Sequence, residues 1–170
     1  MTGVPGAGKT TVCAALAKRY PLAAIVQADV FGDWIDAGSA ADPWADHGSR
    51  VTLARRCATF CAREFAAAGL PVVIDDTVED GTQADDYARR IGDLGPRRVL
   101  LRPTLETALA RNAARANKPA GDAPHLDEIA RRLYEPMRRA LTAPAGWLVL
   151  DTTALDVAAS VDAIVAHYGL

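Results

Sequence analysis

Gly3-Val4-Pro5-Gly6-Ala7-Gly8-Lys9-Thr10, the stretch GVPGAGKT at positions 3–10, satisfies G-x-x-x-x-G-K-[S/T] at every required position. Each residue type has a physical task at that spacing. Glycines let backbone N–H groups converge on phosphate oxygens, a lysine adds a point charge, and a threonine hydroxyl is a hard oxygen ligand for Mg²⁺. A helix beginning at Lys9 aims the positive end of its dipole at the same point. These residues, with Thr11 in the first helical turn, are the expected contacts of a nucleotide's phosphates. The dinucleotide fingerprint G-x-G-x-x-G fails, because from Gly6 and Gly8 the third glycine should stand where Thr11 does.

Such a loop normally hangs from the end of a buried strand, and only Met1 and Thr2 stand ahead of it. A central strand of about five apolar residues, each worth about 1.5 to 3 kcal/mol on burial, rivals a domain's net stability of about 5 to 15 kcal/mol. The expectation is that several apolar residues forming a first strand precede Met1 in the gene. In the sequence as written the first strand is then truncated and the loop poorly anchored.

Outward from the loop, the pattern predicts a helix over 9–20, with Val12, Leu16 and Tyr20 on one face and Pro21 closing it. LAAIVQAD (22–29) reads as a strand buried on both faces and ending in a carboxylate. Residues 31–49 show no clear period. Over 50–68, Leu53, Cys57, Cys61 and Phe65 recur every fourth position and predict a long amphipathic helix with that face inward. PVVIDDT (71–77) is a second strand, 83–94 a helix, RRVLLRP (97–103) a third strand and 104–115 a helix. The Pro/Gly-rich stretch 116–124 is a loop between helices, as a lid would be. A helix over 126–141, kinked at Pro136, leads to a fourth strand at 146–151 and a final helix with Val157, Val161, Ile164 and Tyr168 inward. Strands alternating with helices imply an α/β, three-layer fold with a parallel sheet.

A length of 170 residues suits one domain, 1–170, with a lid region at about 112–125. The apolar fraction of 50% and charged fraction of 24% are those of a globular chain. A net charge of −2 lacks the basic footprint of a protein that embraces many nucleic-acid phosphates. Cys13, Cys57 and Cys61 form no disulfide pattern, and no run reaches the roughly 18 apolar residues of a membrane helix. A reduced, cytoplasmic protein is expected. Cys57 and Cys61 lie at a metal-capable spacing, but no cysteine or histidine cluster completes a site, so core packing is the expectation.

The order of elements, together with GVPGAGKT, the acid Asp29, VVIDD and RNAAR ahead of a Gly/Pro loop, resembles the small P-loop kinases related to nucleoside monophosphate kinases. Shikimate and gluconate kinases, chloramphenicol phosphotransferase and the "AAA domain" ATP-binding proteins are among them. The resemblance implies ATP and Mg²⁺ held by loop and lid, with a hydroxyl-bearing acceptor at the strand ends. Asp29 matches the acid that orients or deprotonates the acceptor, with Asp33 and Asp36 as weaker substitutes. A carboxylate at the C-terminal end of a parallel strand also faces the crevice where such sheets bind ligands. Asp75, after Val72-Val73-Ile74, matches the acid that holds a Mg²⁺ water beside Thr10, and Asp76 competes for that role. Strand alternation points the two acids in opposite directions. Arg111 and Arg115 share a helix face and would close over the transferring phosphoryl group, with Lys118 nearby. Arg50, Arg55 and Arg56 could contact an anionic acceptor, but a solvated helix face is the stronger expectation. Trp34 and Trp44 suit an acceptor-pocket wall or ordinary packing equally.

Competing functions are narrowed by residue type. Asn117-Lys118-Pro119-Ala120 puts alanine where a guanine reader needs an acid, and an AAA+ regulatory ATPase needs a longer chain. Phosphoryl transfer from ATP to a small molecule is the expectation, with no membrane partner. A polynucleotide 5′-hydroxyl kinase, for which the charge balance is unfavourable, and a non-catalytic ATP-binding module are the alternatives.

Overall fold

The computed structural model describes residues 1–35, 47–114 and 123–170. Helix α1 (Lys9–Ala17) is followed by β1 (Ala24–Gln27), α2 (Ala28–Asp33), α3 (His47–Ala67), β2 (Val72–Asp75) and α4 (Gly81–Ile91). Then come β3 (Arg98–Leu101), α5 (Leu105–Ala113), α6 (Ala123–Ala140), β4 (Trp147–Leu150) and α7 (Val157–Tyr168). Local chemistry sets several boundaries. Asp80, Thr104 and Asp156 accept a backbone N–H at the starts of α4, α5 and α7, which satisfies donors that the first helical turn leaves over. α6 runs on through Pro136.

β1 pairs in parallel with β2, Ala24 opposite Val72, and β3 pairs in parallel with β4, Arg98 opposite Trp147. The two pairs are joined by the first two residues of the chain. The Met1 ammonium donates to the Ile74 carbonyl at 2.7 Å, and the Met1 carbonyl accepts from the Asp76 N–H at 3.2 Å. Thr2 N–H donates to Val99 O at 2.8 Å, and Thr2 O accepts from Leu101 N–H at 2.9 Å. Met1 and Thr2 thus bridge the two pairs in parallel, giving the order β1, β2, Met1-Thr2, β3, β4. The expected weakness of the loop's anchorage is corrected here. A stub of two residues bonded on both sides fixes where the loop departs, and the Thr2 hydroxyl adds a bond from Val78 N–H at 2.8 Å.

Helices cover both faces. α1 and α7 pack together and bury Val12, Cys13, Leu16, Val161 and Ile164 with β3's Val99, Leu100 and Leu101. On the other face α3 meets β1 and β2, where Val26 and Ala28 pack on Ala58 and Ala62. The expected inner face of α3 is wrong. Ala54, Ala58 and Ala62 are buried, whereas Leu53 and Phe65 are exposed and Cys57 and Cys61 only half-buried. Small residues let the helix axis approach the strand pair, and the large ones are left on its outer side. Cys13 does pack in the core, where burial pushes its thiol up to about 12. No helix among the described residues is long and apolar enough to cross a membrane.

Candidate nucleotide and phosphoryl-transfer site

The loop between Thr2 and α1 is held by contacts that only glycine permits. Gly6 has φ 84°, and a Cβ on it would lie 2.1 Å from the Ala108 carbonyl oxygen and 2.9 Å from Asn112 Oδ1. Any side chain there would push the loop off α5. Gly8, φ 94°, is the residue before α1 and has open space around its Cα. Gly3, Val4, Pro5, Gly6 and Ala7 are buried, and exposure begins at Gly8, Lys9, Thr10 and Thr11. The loop therefore presents the N-terminal end of α1 to solvent while its back is packed. Lys9 Nζ donates to the Gly3 carbonyl at 2.8 Å, which brings the ammonium over the loop.

Thr10 Oγ1 donates to Asp75 Oδ2 at 2.7 Å, joining the start of α1 to the end of β2 across 65 residues of chain. Hydroxyl and carboxylate are hard oxygen donors, and Mg²⁺ prefers one or two such protein ligands with its remaining positions taken by water and phosphate. No cluster of three or more His, Cys, Asp or Glu side chains exists among the described residues. The donor set fits Mg²⁺ and does not fit a metal that needs a full protein cage.

Asp76 points the other way, as alternation along the strand requires. Its Oδ2 accepts from Arg55 Nε at 2.6 Å and from the Tyr87 hydroxyl at 2.9 Å, and its Oδ1 from Thr77 N–H at 2.7 Å. Arg55 also donates to Thr77 O at 2.7 Å. Arg55 and Asp76 are each 5% exposed. Burial, then the adjacent Asp76 charge, raises the Tyr87 phenol well above its usual range, so Tyr87 stays protonated as a donor. The solvated face expected for Arg55 is corrected by this network, which no motif near Arg55 indicates. The signal present was Ala54, Ala58 and Ala62 at a spacing of four, which marks the close-packed side of α3 and places Arg55 beside it.

Asp29 lies in the first turn of α2 and is exposed. The expected strand over 22–29 is shorter, because the helix begins at Ala28 directly after Gln27. The charge of Asp29 acts on Tyr87 and so lies within electrostatic reach of the Asp76 group. Arg111, near the end of α5, donates from Nη2 to Thr152 O at 2.8 Å, tying that helix to the segment after β4. Its neighbour Asn112 is 2% exposed and donates from Nδ2 to Asp127 Oδ1 at 3.1 Å on α6. Asn112 Oδ1 and Thr152 Oγ1 are the buried side-chain polar atoms without a hydrogen-bond partner among the described residues. Within RNAAR nothing local marks Asn112 as a support for the loop at Gly6, since the two meet only in the fold.

The structure thus brings together the loop, Lys9, Thr10 and Asp75, and places Arg111 on the helix that supports the loop. Arg115, Lys118, Asp36 and Trp44 lie outside the described residues. Trp34 is 74% exposed and meets Phe31 edge-on, 5.2 Å between ring centroids. It lies over the outer side of α3 near Phe60. Arg50 bonds the Ile35 carbonyl.

A family model described as "AAA domain" matches residues 1–136. Among solved structures, a sugar kinase from Janibacter sp. HTCC2649 is similar with a TM-score of 0.71 and 20% identity, over 99% of this chain and 91% of that one. A shikimate kinase from Bacteroides thetaiotaomicron gives 0.71 at 15% identity, over 99% and 96%. The tunicamycin resistance protein of Deinococcus radiodurans gives 0.65 at 20%, over 99% and 93%. These likenesses establish a shared three-layer P-loop fold. No curated protein sequence matches the chain.

Proposed function

The chain belongs to the AAA domain family, and from that premise we propose that it is an ATP-dependent phosphotransferase acting on a hydroxyl group of a small molecule. The observation that carries this reading is the Thr10–Asp75 hydrogen bond of 2.7 Å beside the Gly3–Thr10 loop, with Lys9 above it. The loop amides and Lys9 bind the β- and γ-phosphates. Thr10 and Asp75 would hold Mg²⁺, which when bound supplies charge neutralisation at the phosphate oxygens. Asp29 orients the acceptor hydroxyl and accepts its proton, and Arg111 steadies the charge spread over the transferring group. Arg115, which shares Arg111's helix face in the sequence, is assigned the same task. Positioning and electrostatics then supply most of the catalysis, as a loose phosphoryl transition state requires.

Radiolabelled ATP offered with pooled sugars, antibiotics and other hydroxyl-bearing metabolites tests the reaction, and label moving to an organic acceptor is the expected outcome. Label appearing only as inorganic phosphate at the background rate would contradict it. On the acceptor so found, Asp29→Asn lowers kcat by about 10² to 10⁴-fold and leaves ATP affinity unchanged. Unaltered turnover removes Asp29 from the mechanism.

A further inference from the structure

Helix α5 stands behind the phosphate loop and is anchored near both of its ends. Thr104 N–H donates to Thr153 Oγ1 at 2.9 Å and Arg111 Nη2 to Thr152 O at 2.8 Å, which ties the helix to the segment after β4. Asn112 Nδ2 donates to Asp127 Oδ1 at 3.1 Å and ties it to α6. Ala108 and Asn112 lie one turn apart on α5, so they share a face, and that face meets Gly6. A Cβ on Gly6 would stand 2.1 Å from the Ala108 carbonyl oxygen and 2.9 Å from Asn112 Oδ1.

The Asn112 amide therefore touches two elements at once, its nitrogen bonded to α6 and its oxygen set against the loop. At 2% exposure it is not free to turn into water. Its oxygen receives no N–H or O–H among the described residues. An unpaired buried acceptor costs stability, and an aliphatic side chain of the same shape would avoid that cost, so packing alone does not account for asparagine here. The bond to Asp127 does not account for it either, because that carboxylate is half-buried and can be hydrated instead.

We propose that Asn112 is a positioning residue through which α6 sets the phosphate loop. With Nδ2 held by Asp127, the side-chain oxygen fixes how closely the Gly6 backbone approaches α5, and with it the direction of the loop's N–H groups. The consequence for nucleotide rests on the proposed binding of phosphates by that loop. Coupling of this kind is reciprocal: nucleotide affinity depends on where Asp127 is held, and bound nucleotide holds α6 in turn.

Four variants test this beside the wild type: Asn112→Leu, Asp127→Ala, the two combined, and Asp127→Asn. Asn112→Leu keeps the shape and removes the unpaired oxygen, so Tm is expected to stay within about 2 °C of wild type or to rise. The Kd for ATP with Mg²⁺ is nevertheless expected to rise about tenfold, a usual size for coupling between sites. Asp127→Ala gives a similar rise, and the double variant rises no further, because both changes break one chain of contacts. Asp127→Asn stays within about twofold of wild type, since its side-chain oxygen still accepts from Asn112. In nucleotide-free protein, exchange of the Ala7 N–H, which is bonded to Val4 O at 3.0 Å inside the loop, quickens by at least about tenfold in Asn112→Leu and Asp127→Ala.

Ala7 exchange at the wild-type rate in both single variants would overturn the proposal, as would unchanged ATP affinity in both or effects that multiply in the double variant. Asp127 is half-buried on α6, so its variants carry the test even if Asn112→Leu is unstable. A wild type that binds no ATP contradicts the kinase reading instead, and Ala7 exchange then decides the role of Asn112 without nucleotide.

Discussion

Lys9→Ala is expected to lower the rate of phosphoryl transfer by about 10² to 10³-fold, the usual cost of deleting one preorganised group at a site of developing charge. The ammonium lies over the loop, bonded to Gly3 O at 2.8 Å, so it is already placed before any phosphate arrives. Its removal also weakens ATP binding, because phosphate charge is present in the ground state as well as in the transition state. Folding should change by only about 1 kcal/mol, the typical net worth of one hydrogen bond. Lys9→Arg does not rescue, since a planar fork replaces a point charge. Steady-state kinetics and thermal melting of the same preparations check this. A Lys9→Ala protein that is fully folded and turns over normally would contradict the assignment.

The largest loss of stability is expected from Arg55→Leu. Asp76 then keeps a carboxylate at 5% exposure with its ion-pair partner removed. Breaking a buried pair from one side costs about 3 to 5 kcal/mol, because the remaining charge has lost its compensation. For a domain of this size that lowers Tm by on the order of 10 °C. The double change Arg55→Leu with Asp76→Leu recovers much of the loss, because two apolar side chains replace two desolvated charges. Chemical denaturation of wild type, single and double variants measures the cycle. A single variant as stable as wild type would show that the pair does not hold α3 to the end of β2.

The contrast between these two residues shows what the sequence makes legible. Lys9 stands in a motif whose spacing is dictated within eight residues, so the loop and the helix after it could be anticipated, whereas Asp75, 65 positions from Thr10, is placed beside it only by the resemblance to P-loop kinases. The opposite directions of Asp75 and Asp76 follow from strand alternation alone. Arg55 could not be placed in either way, because no motif names its partner, which lies on another element 21 positions on. Two apolar stripes also run along α3, one large and one small. Periodicity detects both, but only the approach distance of helix and sheet decides which goes inside. Here the small one, Ala54, Ala58 and Ala62, is buried. Asp29 was legible as an acid near a strand end but not as part of α2, because no cap or turn residue separates Gln27 from the helix. The role of Met1 and Thr2 as the bridge between the two strand pairs was hidden for a further reason. A two-residue segment has no period, and only the four backbone bonds to β2 and β3 reveal it.

Everything assigned to the site depends on the Gly3–Thr10 loop wrapping the terminal phosphates of a nucleotide. Titrating the folded chain with ATP and Mg²⁺ in a calorimeter measures this directly. The expected result is one site per chain with a Kd between about 1 μM and 1 mM, weakened in Lys9→Ala. A folded sample that gives no heat with ATP and Mg²⁺ would contradict it.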